Sequence, residues 1–311
     1  MTTIAQRLTG IHAATIVPMT AAFAIDEAAL ARHIEEVAAT PGIRGLLING
    51  HAGENFVLTS AEKRRVVEIA KNVAPKECLV CSGVNAESSL TAAEDARAAQ
   101  DAGADILLLF PPNAFALGHD PEAVLIHHRH VLAATTLPLL LYGAPVGAGR
   151  MAYGPDTLRA LAREPRVVGV KEGSWEVASY EENKRLLESV RPDFVVMGSG
   201  DEHLLTSYII GSAGSQVSLA AVAPALCADF FAAAAREDWA EARRLHDRIY
   251  PLAVAIYRNP PGGRATARLK ACLTLMGKLE TPIVRPPQPL VSDQEWSSLR
   301  AALATAGLMR K

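Results

Sequence analysis

Val167-Val168-Gly169-Val170-Lys171-Glu172-Gly173 is a run of four apolar or glycine positions that ends on a lysine. The first four have the composition of a buried strand. A lysine where such a run stops is expensive, because desolvating an ammonium costs several kcal/mol unless it is paired or neutralised. Burial lowers its pKa, and a neutral amine is a nucleophile towards carbonyls. The structural alternative is a side chain that snorkels from the strand end to a surface carboxylate.

Outward from this strand, short apolar runs alternate with segments of helical period. Upstream, residues 11–17, 43–48, 79–82, 106–110 and 138–142 read as strands, and 28–37, 60–70, 88–102, 122–134 and 155–162 as helices. Asp26 is placed to cap the first helix, and Pro155 sits in a first turn where its missing N–H does no harm. Downstream come a helix at 176–190, a strand at 194–197, a helix at 202–210 and a last strand at 215–219. Eight strand–helix units spaced for right-handed crossovers predict a parallel sheet covered by helices. Filling the first ~220 residues, they fit a closed (β/α)8 TIM barrel better than an open sheet, since such barrels typically run to about 250 residues. Gly198-Ser199-Gly200-Asp201-Glu202-His203 lacks the third glycine of a dinucleotide fingerprint. From Pro224 the pattern changes to alanine-rich helices at 225–236, 239–257, 264–276 and 292–306, with a proline-rich connector at 282–289. The predicted organisation is a barrel over residues 1–223 and a C-terminal helical domain over 224–311, packed on the barrel or on a neighbouring subunit.

Composition narrows the partners. Of 311 residues, 50% are hydrophobic and 21% charged, with a net charge of -2. That is ordinary globular composition, with no attraction for nucleic acid or anionic membrane. No stretch approaches the roughly 18 apolar residues of a membrane span, and no secretory signal opens the chain, so a cytoplasmic protein is expected. Cys78 and Cys81 form a C-x-x-C inside an apolar run. Residues three apart on a strand face opposite ways, so they are read as buried thiols rather than a metal or redox pair. His127-His128-Arg129-His130 is read as a solvated helix face, because its members diverge on a helix. Arg243-Arg244 and the arginines at 264–268 are read as polar helix faces.

In a parallel barrel, chemistry sits at the C-terminal ends of strands. Those ends carry Gly50, His51, Ala52, Gly53 and Glu54 after strand two, Asn113 after strand four, Tyr142 on strand five, Lys171 on strand six and Gln216 on strand eight. Tyr142 and Lys171 fall on neighbouring strands, so amine and phenol face one another: one attacks a ketone and the other shuttles protons. Gly50-His51-Ala52-Gly53 is a glycine-flanked turn. It is read both as a backbone cradle for a carboxylate and as a tight turn that needs glycine for positive φ. An imidazole at His51 brings either acid–base capacity near neutrality or mere filling of space.

These stretches carry a family resemblance. Gly45-Leu46-Leu47-Ile48-Asn49-Gly50-His51-Ala52-Gly53-Glu54, with Glu62 following, resembles the first signature of the dihydrodipicolinate synthase/N-acetylneuraminate lyase family. Tyr142-Gly143-Ala144-Pro145 followed by Val168-Gly169-Val170-Lys171-Glu172 resembles its second, and Leu219-Ala220-Ala221-Val222-Ala223-Pro224 also fits. The resemblance implies a barrel with a helical C-terminus assembled as a tetramer or dimer. It further implies a Schiff base between Lys171 and pyruvate or another 2-oxo acid, Tyr142 as proton carrier, a carboxylate held by the turn, and no metal or organic cofactor. The departures are specific. His51 and Ala52 stand where the family has hydroxyl residues, Asn113 and Ala114 where it has a relay tyrosine, Gly147 where it has a substrate-binding arginine, with Arg150 nearby, and Gln216 where it has an apolar pocket residue. The expected function is a carbon–carbon or carbon–oxygen lyase, an aldolase or dehydratase. The alternatives are a non-catalytic 2-oxo acid binder or regulator and a true dihydrodipicolinate synthase with an altered relay.

Overall fold

The computed structural model describes residues 3–258 and 262–309. Eight parallel strands close a barrel in chain order: β1 (Gly10–Ala14), β2 (Ile43–Ile48), β3 (Leu79–Val84), β4 (Ile106–Leu109), β5 (Leu139–Gly143), β6 (Val167–Glu172), β7 (Val195–Gly198) and β8 (Gly214–Val217). Before β1 lies α1 (Ile4–Leu8). Between the strands run α2 (Glu27–Ala38), α3 (Ser60–Val73), α4 (Ser89–Asp101), α5 (Pro121–Ala134), α6 (Pro155–Ala162), α7 (Val177–Val190) and α8 (Leu204–Ile209). After β8 come α9 (Leu219–Val222), α10 (Pro224–Ala235), α11 (Trp239–Ala253), α12 (Ala265–Leu275) and α13 (Asp293–Thr305). The fold is the predicted TIM barrel, with further helices at the C-terminal end.

Strands buried on both faces read as continuous apolar runs, which is why they stand out in the sequence. Their two faces feed two cores. Inside the barrel lie Leu47, Leu79, Cys81, Leu108, Leu140, Tyr142 and Met197. Outside, Leu46, Val80, Leu107, Leu141 and Val196 meet the helices. Cys78 belongs to the outer core and Cys81 to the inner one, so the C-x-x-C thiols face opposite ways as expected. The seam between β1 and β8 closes through a backbone approach that only glycine permits. A Cβ on Gly214 would stand 2.0 Å from the Gly10 carbonyl oxygen.

Several local readings change. The helix α1 is too short to show a period, but Thr3 and Gln6 cap it reciprocally, and Leu8 plugs the barrel interior. The helix expected to reach 257 gives way after Ala253 to a wide turn over Val254–Arg258, beyond an internal Pro251. His127 and His128 are buried rather than solvated: His127 bonds to Ser89 at 3.0 Å, and His128 to the Val124 carbonyl at 2.8 Å. Periodicity placed them on a helix, but neighbouring α4 and the ring of Tyr153 cover that face.

The C-terminal segment is tied to the barrel mouth by charge. Glu54, buried, accepts from the ammonium of buried Lys270 on α12 and from the Arg285 backbone N–H at 2.8 Å. Arg285 in turn pairs with Glu62 on α3 and donates to the Val57 and Phe23 carbonyls. The guanidinium hydrogen bond holds the Glu62 carboxyl down at about 2. Replacing Lys270 by Met strands the Glu54 carboxylate, with an expected loss of about 3–5 kcal/mol in unfolding free energy. The double variant Glu54→Gln/Lys270→Met should recover most of that loss, and urea denaturation measures both.

Candidate active site

A cavity of about 650 Å³ opens at the C-terminal ends of the strands, and Lys171, Tyr142, His51, Ala52, Glu54, Asn113 and Gln216 all line it. Among the sequence-predicted site residues only Gly50 and Gly53 lie off its wall; they frame the turn beneath.

Register brings the amine and the phenol together. Tyr142 on β5 pairs with Lys171 on β6, and the Lys171 ammonium nitrogen sits 5.9 Å from the Tyr142 ring centre. Gly143 and Gly173 lock the strand tops: Gly173 N–H donates to the Gly143 carbonyl at 3.0 Å, and a Cβ on Gly173 would come within 2.6 Å of that oxygen. Burial pulls the Lys171 pKa below that of a free lysine, while the carboxylate of Asp201 works in the opposite direction. Burial likewise pushes Asp201 above the usual carboxylate range, and pushes the Tyr142 phenol up so that it stays protonated. A lysine with a depressed pKa beside a protonated phenol has the equipment for carbinolamine formation and dehydration.

The turn after β2 is a single 3-10 turn, His51–Gly53. The N–H groups of Gly53 and Glu54 return to the Gly50 and His51 carbonyls at 3.0 and 3.1 Å, whereas those of His51 and Ala52 open the turn and have no partner within it. Positive φ falls on Asn49 and Glu54, not on the two glycines as the sequence suggested. Glu54 lines the cavity, but both its oxygens are engaged by Lys270 and Arg285, so its carboxylate anchors the turn. The His51 ring is stacked between Phe56 and Phe110, at 4.6 and 4.4 Å, and meets Tyr142 edge-on at 5.3 Å. Desolvation, then the field of Lys171, lowers its pKa to about 3. Both causes favour the neutral ring over a histidine that titrates near neutrality.

Gln216 is fully buried on β8, and neither amide atom makes a hydrogen bond of normal geometry with the protein. Asn113 opens a short 3-10 turn whose first N–H groups, its own and that of Ala114, are held by Glu87. Arg150 is exposed, and its side chain lies against Gly118 instead of the cavity. Among the described residues no arginine lines the cavity, and no group of three or more His, Cys, Asp or Glu is arranged to hold a metal.

The sequence reading assigned no role to four contributors, although Asp201 falls among its strand ends. Asp201 accepts from Leu219 N–H at 3.0 Å, and Tyr257 bonds through its hydroxyl to Ser218 at 2.5 Å. Trp175 lines the wall at φ 59, and Thr266 on α12 donates to the His51 carbonyl at 3.1 Å. A bulky residue in the left-handed region costs about 1–3 kcal/mol. Position gave a signal for Asp201 and Trp175, which follow β7 and β6; nothing local pointed to Tyr257 or Thr266, which come from the C-terminal helices.

The dihydrodipicolinate synthetase family matches residues 7–306, nearly the whole described chain. The chain belongs to that family. It is 31% identical over 300 residues to the 4-hydroxy-tetrahydrodipicolinate synthase of Jannaschia sp., covering 95% of this chain and 97% of the relative. The dihydrodipicolinate synthase of Agrobacterium tumefaciens superposes with a TM-score of 0.87 at 25% identity, over 98% of this chain and 100% of the other. YagE, an Escherichia coli prophage protein of the dihydrodipicolinic acid synthase family solved with pyruvate, superposes with a TM-score of 0.88 at 21% identity, over 97% and 99% of the two chains, a likeness of fold. As a member of the dihydrodipicolinate synthetase family, the protein is an enzyme, a lyase of the Schiff-base aldolase type.

The neutral state of His51 has a direct check. Its ring resonances in histidine-labelled protein should not titrate between pH 5 and 8; a midpoint inside that window would restore an acid–base role.

Proposed function

We propose that Lys171 forms a Schiff base with a 2-oxo acid and that the enzyme cleaves its aldol adducts. The observation that carries this reading is the Lys171 amine, depressed in pKa and in register with Tyr142 at the cavity wall. The unpartnered N–H groups of His51 and Ala52 suit the carboxylate of the 2-oxo acid, as backbone cradles do.

The protons balance through Tyr142 alone. The Lys171 amine adds to the ketone; the phenol protonates the departing hydroxyl, leaving water, an iminium and a phenolate. The phenolate takes the proton of the substrate's β-hydroxyl as the carbon–carbon bond breaks, its electrons flowing into the iminium to give an enamine and a free aldehyde. The phenol then protonates the enamine carbon, and water adds to the iminium while the phenolate accepts its proton. Collapse of that carbinolamine releases pyruvate and the free amine. No metal or organic cofactor enters this sequence. Loss of water in place of the aldehyde uses the same enamine chemistry, with the hydroxyl leaving.

With no arginine on the described cavity wall, the aldehyde substrate of a dihydrodipicolinate synthase has no charged partner for its carboxylate, which favours a lyase with a different second product. The remaining expectations are a cytoplasmic homo-oligomer, tetramer or dimer, acting on small molecules without nucleic acid or membrane. No described helix is long and apolar enough to cross a membrane.

Borohydride reduction with pyruvate, read by intact mass and peptide mapping, should place one adduct on Lys171 and none in Lys171→Ala. No adduct, or one that persists in the variant, sinks the reading. Because burial lowers the lysine's pKa, the trapping rate should rise with pH and level off below the ordinary lysine value of 10.5. Tyr142→Phe should lower kcat by about 10²–10⁴-fold and slow pyruvate trapping without abolishing it. Trapping without turnover of any aldol adduct would instead support the binding or regulatory alternative.

A further inference from the structure

We infer that the substrate carries an uncharged aromatic arm, and that Trp175 is the residue that selects it. The inference rests on the Schiff-base reading above and concerns the part of the cavity beyond the reacting carbons.

Three observations converge. First, Trp175 holds φ 59, where a side chain as large as indole is strained and glycine would be free. Strain kept at a cavity wall points to a job for the side chain that a relaxed residue would not do. The indole lies 5.4 Å from the Tyr257 ring, tilted by 54°, and both rings line the cavity.

Second, a matching aromatic wall rises from the opposite side. β2 and β6 are four places apart in a ring of eight, so residues following them face one another across the mouth. After β2 comes the His51–Phe56 stack. Phe56 also lines the cavity and is 55% exposed, so it presents an open aromatic face there. Two aromatic walls suit a planar ring between them.

Third, the charge inventory is wrong for a second carboxylate. The cations on the described wall reduce to Lys171, since His51 is neutral and no arginine is present. Of the two carboxyls, Glu54 is taken up by Lys270. The polar groups Ser199, Asp201, Gln216 and Ser218 lie on β7 and β8 or just beyond them, and Asn113, Thr266 and Gln288 add polar but uncharged groups elsewhere on the wall. Phe56, Val57, Met151, Leu269 and Pro287 supply apolar surface beside them. For such a substrate the cleavage already written yields pyruvate and an aryl aldehyde.

The test compares the pyruvate aldol adducts of benzaldehyde, acetaldehyde, glyoxylate and glyceraldehyde, with pyruvate release as the readout. The benzaldehyde adduct should have a kcat/KM at least about tenfold above each of the others. Trp175→Gly, which relaxes the backbone, should cut that preference about tenfold, mainly through KM, and Trp175→Phe should restore it to within about threefold. A preference for the glyoxylate or glyceraldehyde adduct, or an equal loss on all four in Trp175→Gly, overturns the inference. Borohydride trapping with pyruvate on the same wild-type preparation separates the two levels. Without an adduct on Lys171, both readings fall. With it, failure to cleave or prefer the benzaldehyde adduct removes only the aromatic arm.

Discussion

Closure of the parallel sheet is the constraint on which everything else depends. With β1 hydrogen-bonded to β8, every strand has two partners and one face turned inward, so a single register decides which side chains enter the barrel. The closure passes through the Gly10–Gly214 approach, where any side chain would collide with backbone. Once it is made, Tyr142 and Lys171 have no choice of direction. Both point into a space floored by packed apolar residues, and the surrounding protein lowers the pKa of the half-buried amine. Nucleophilicity here is a product of the sheet's geometry more than of any single partner of the lysine.

The second level of organisation is electrostatic. The turn across the mouth from Lys171 is held from beneath by a carboxylate whose counter-ion is on another part of the chain, and Arg285 fastens the proline-rich connector to the same region through Glu62. Buried ion pairs seldom add stability over apolar replacements, but they strongly penalise misplacement. Their contribution here is best understood as fixing where α12 sits, which brings Leu269, Thr266 and the neighbouring connector to the cavity wall.

Much of this was legible in the sequence because strands covered on both faces are nearly unbroken apolar runs, and the strand-end lysine interrupts one of them. The pairing of Tyr142 with Lys171 followed from strand order alone. Burial of His127 and His128 was not legible, since helical period tells which residues share a face but not what packs on it. The backbone of the Gly50–Gly53 turn was also misjudged: glycine there relieves crowding, with a Cβ on Gly50 only 3.1 Å from Leu47, while Asn49 and Glu54 take the left-handed conformations. Tyr257 and Thr266 converge on the site only after the C-terminal helices dock, a tertiary event with no local pattern. His51 was ambiguous as a letter, and became a neutral spacer only when two phenylalanine rings closed on it.

The Glu54–Lys270 pair joins residues 216 positions apart. On a ribosome, all eight strands emerge before the lysine that neutralises Glu54 has been made. Until then Glu54 has neither of its partners, Lys270 and the Arg285 N–H. The site therefore waits for α12, which brings Lys270 to Glu54 and Thr266 and Leu269 to the cavity wall.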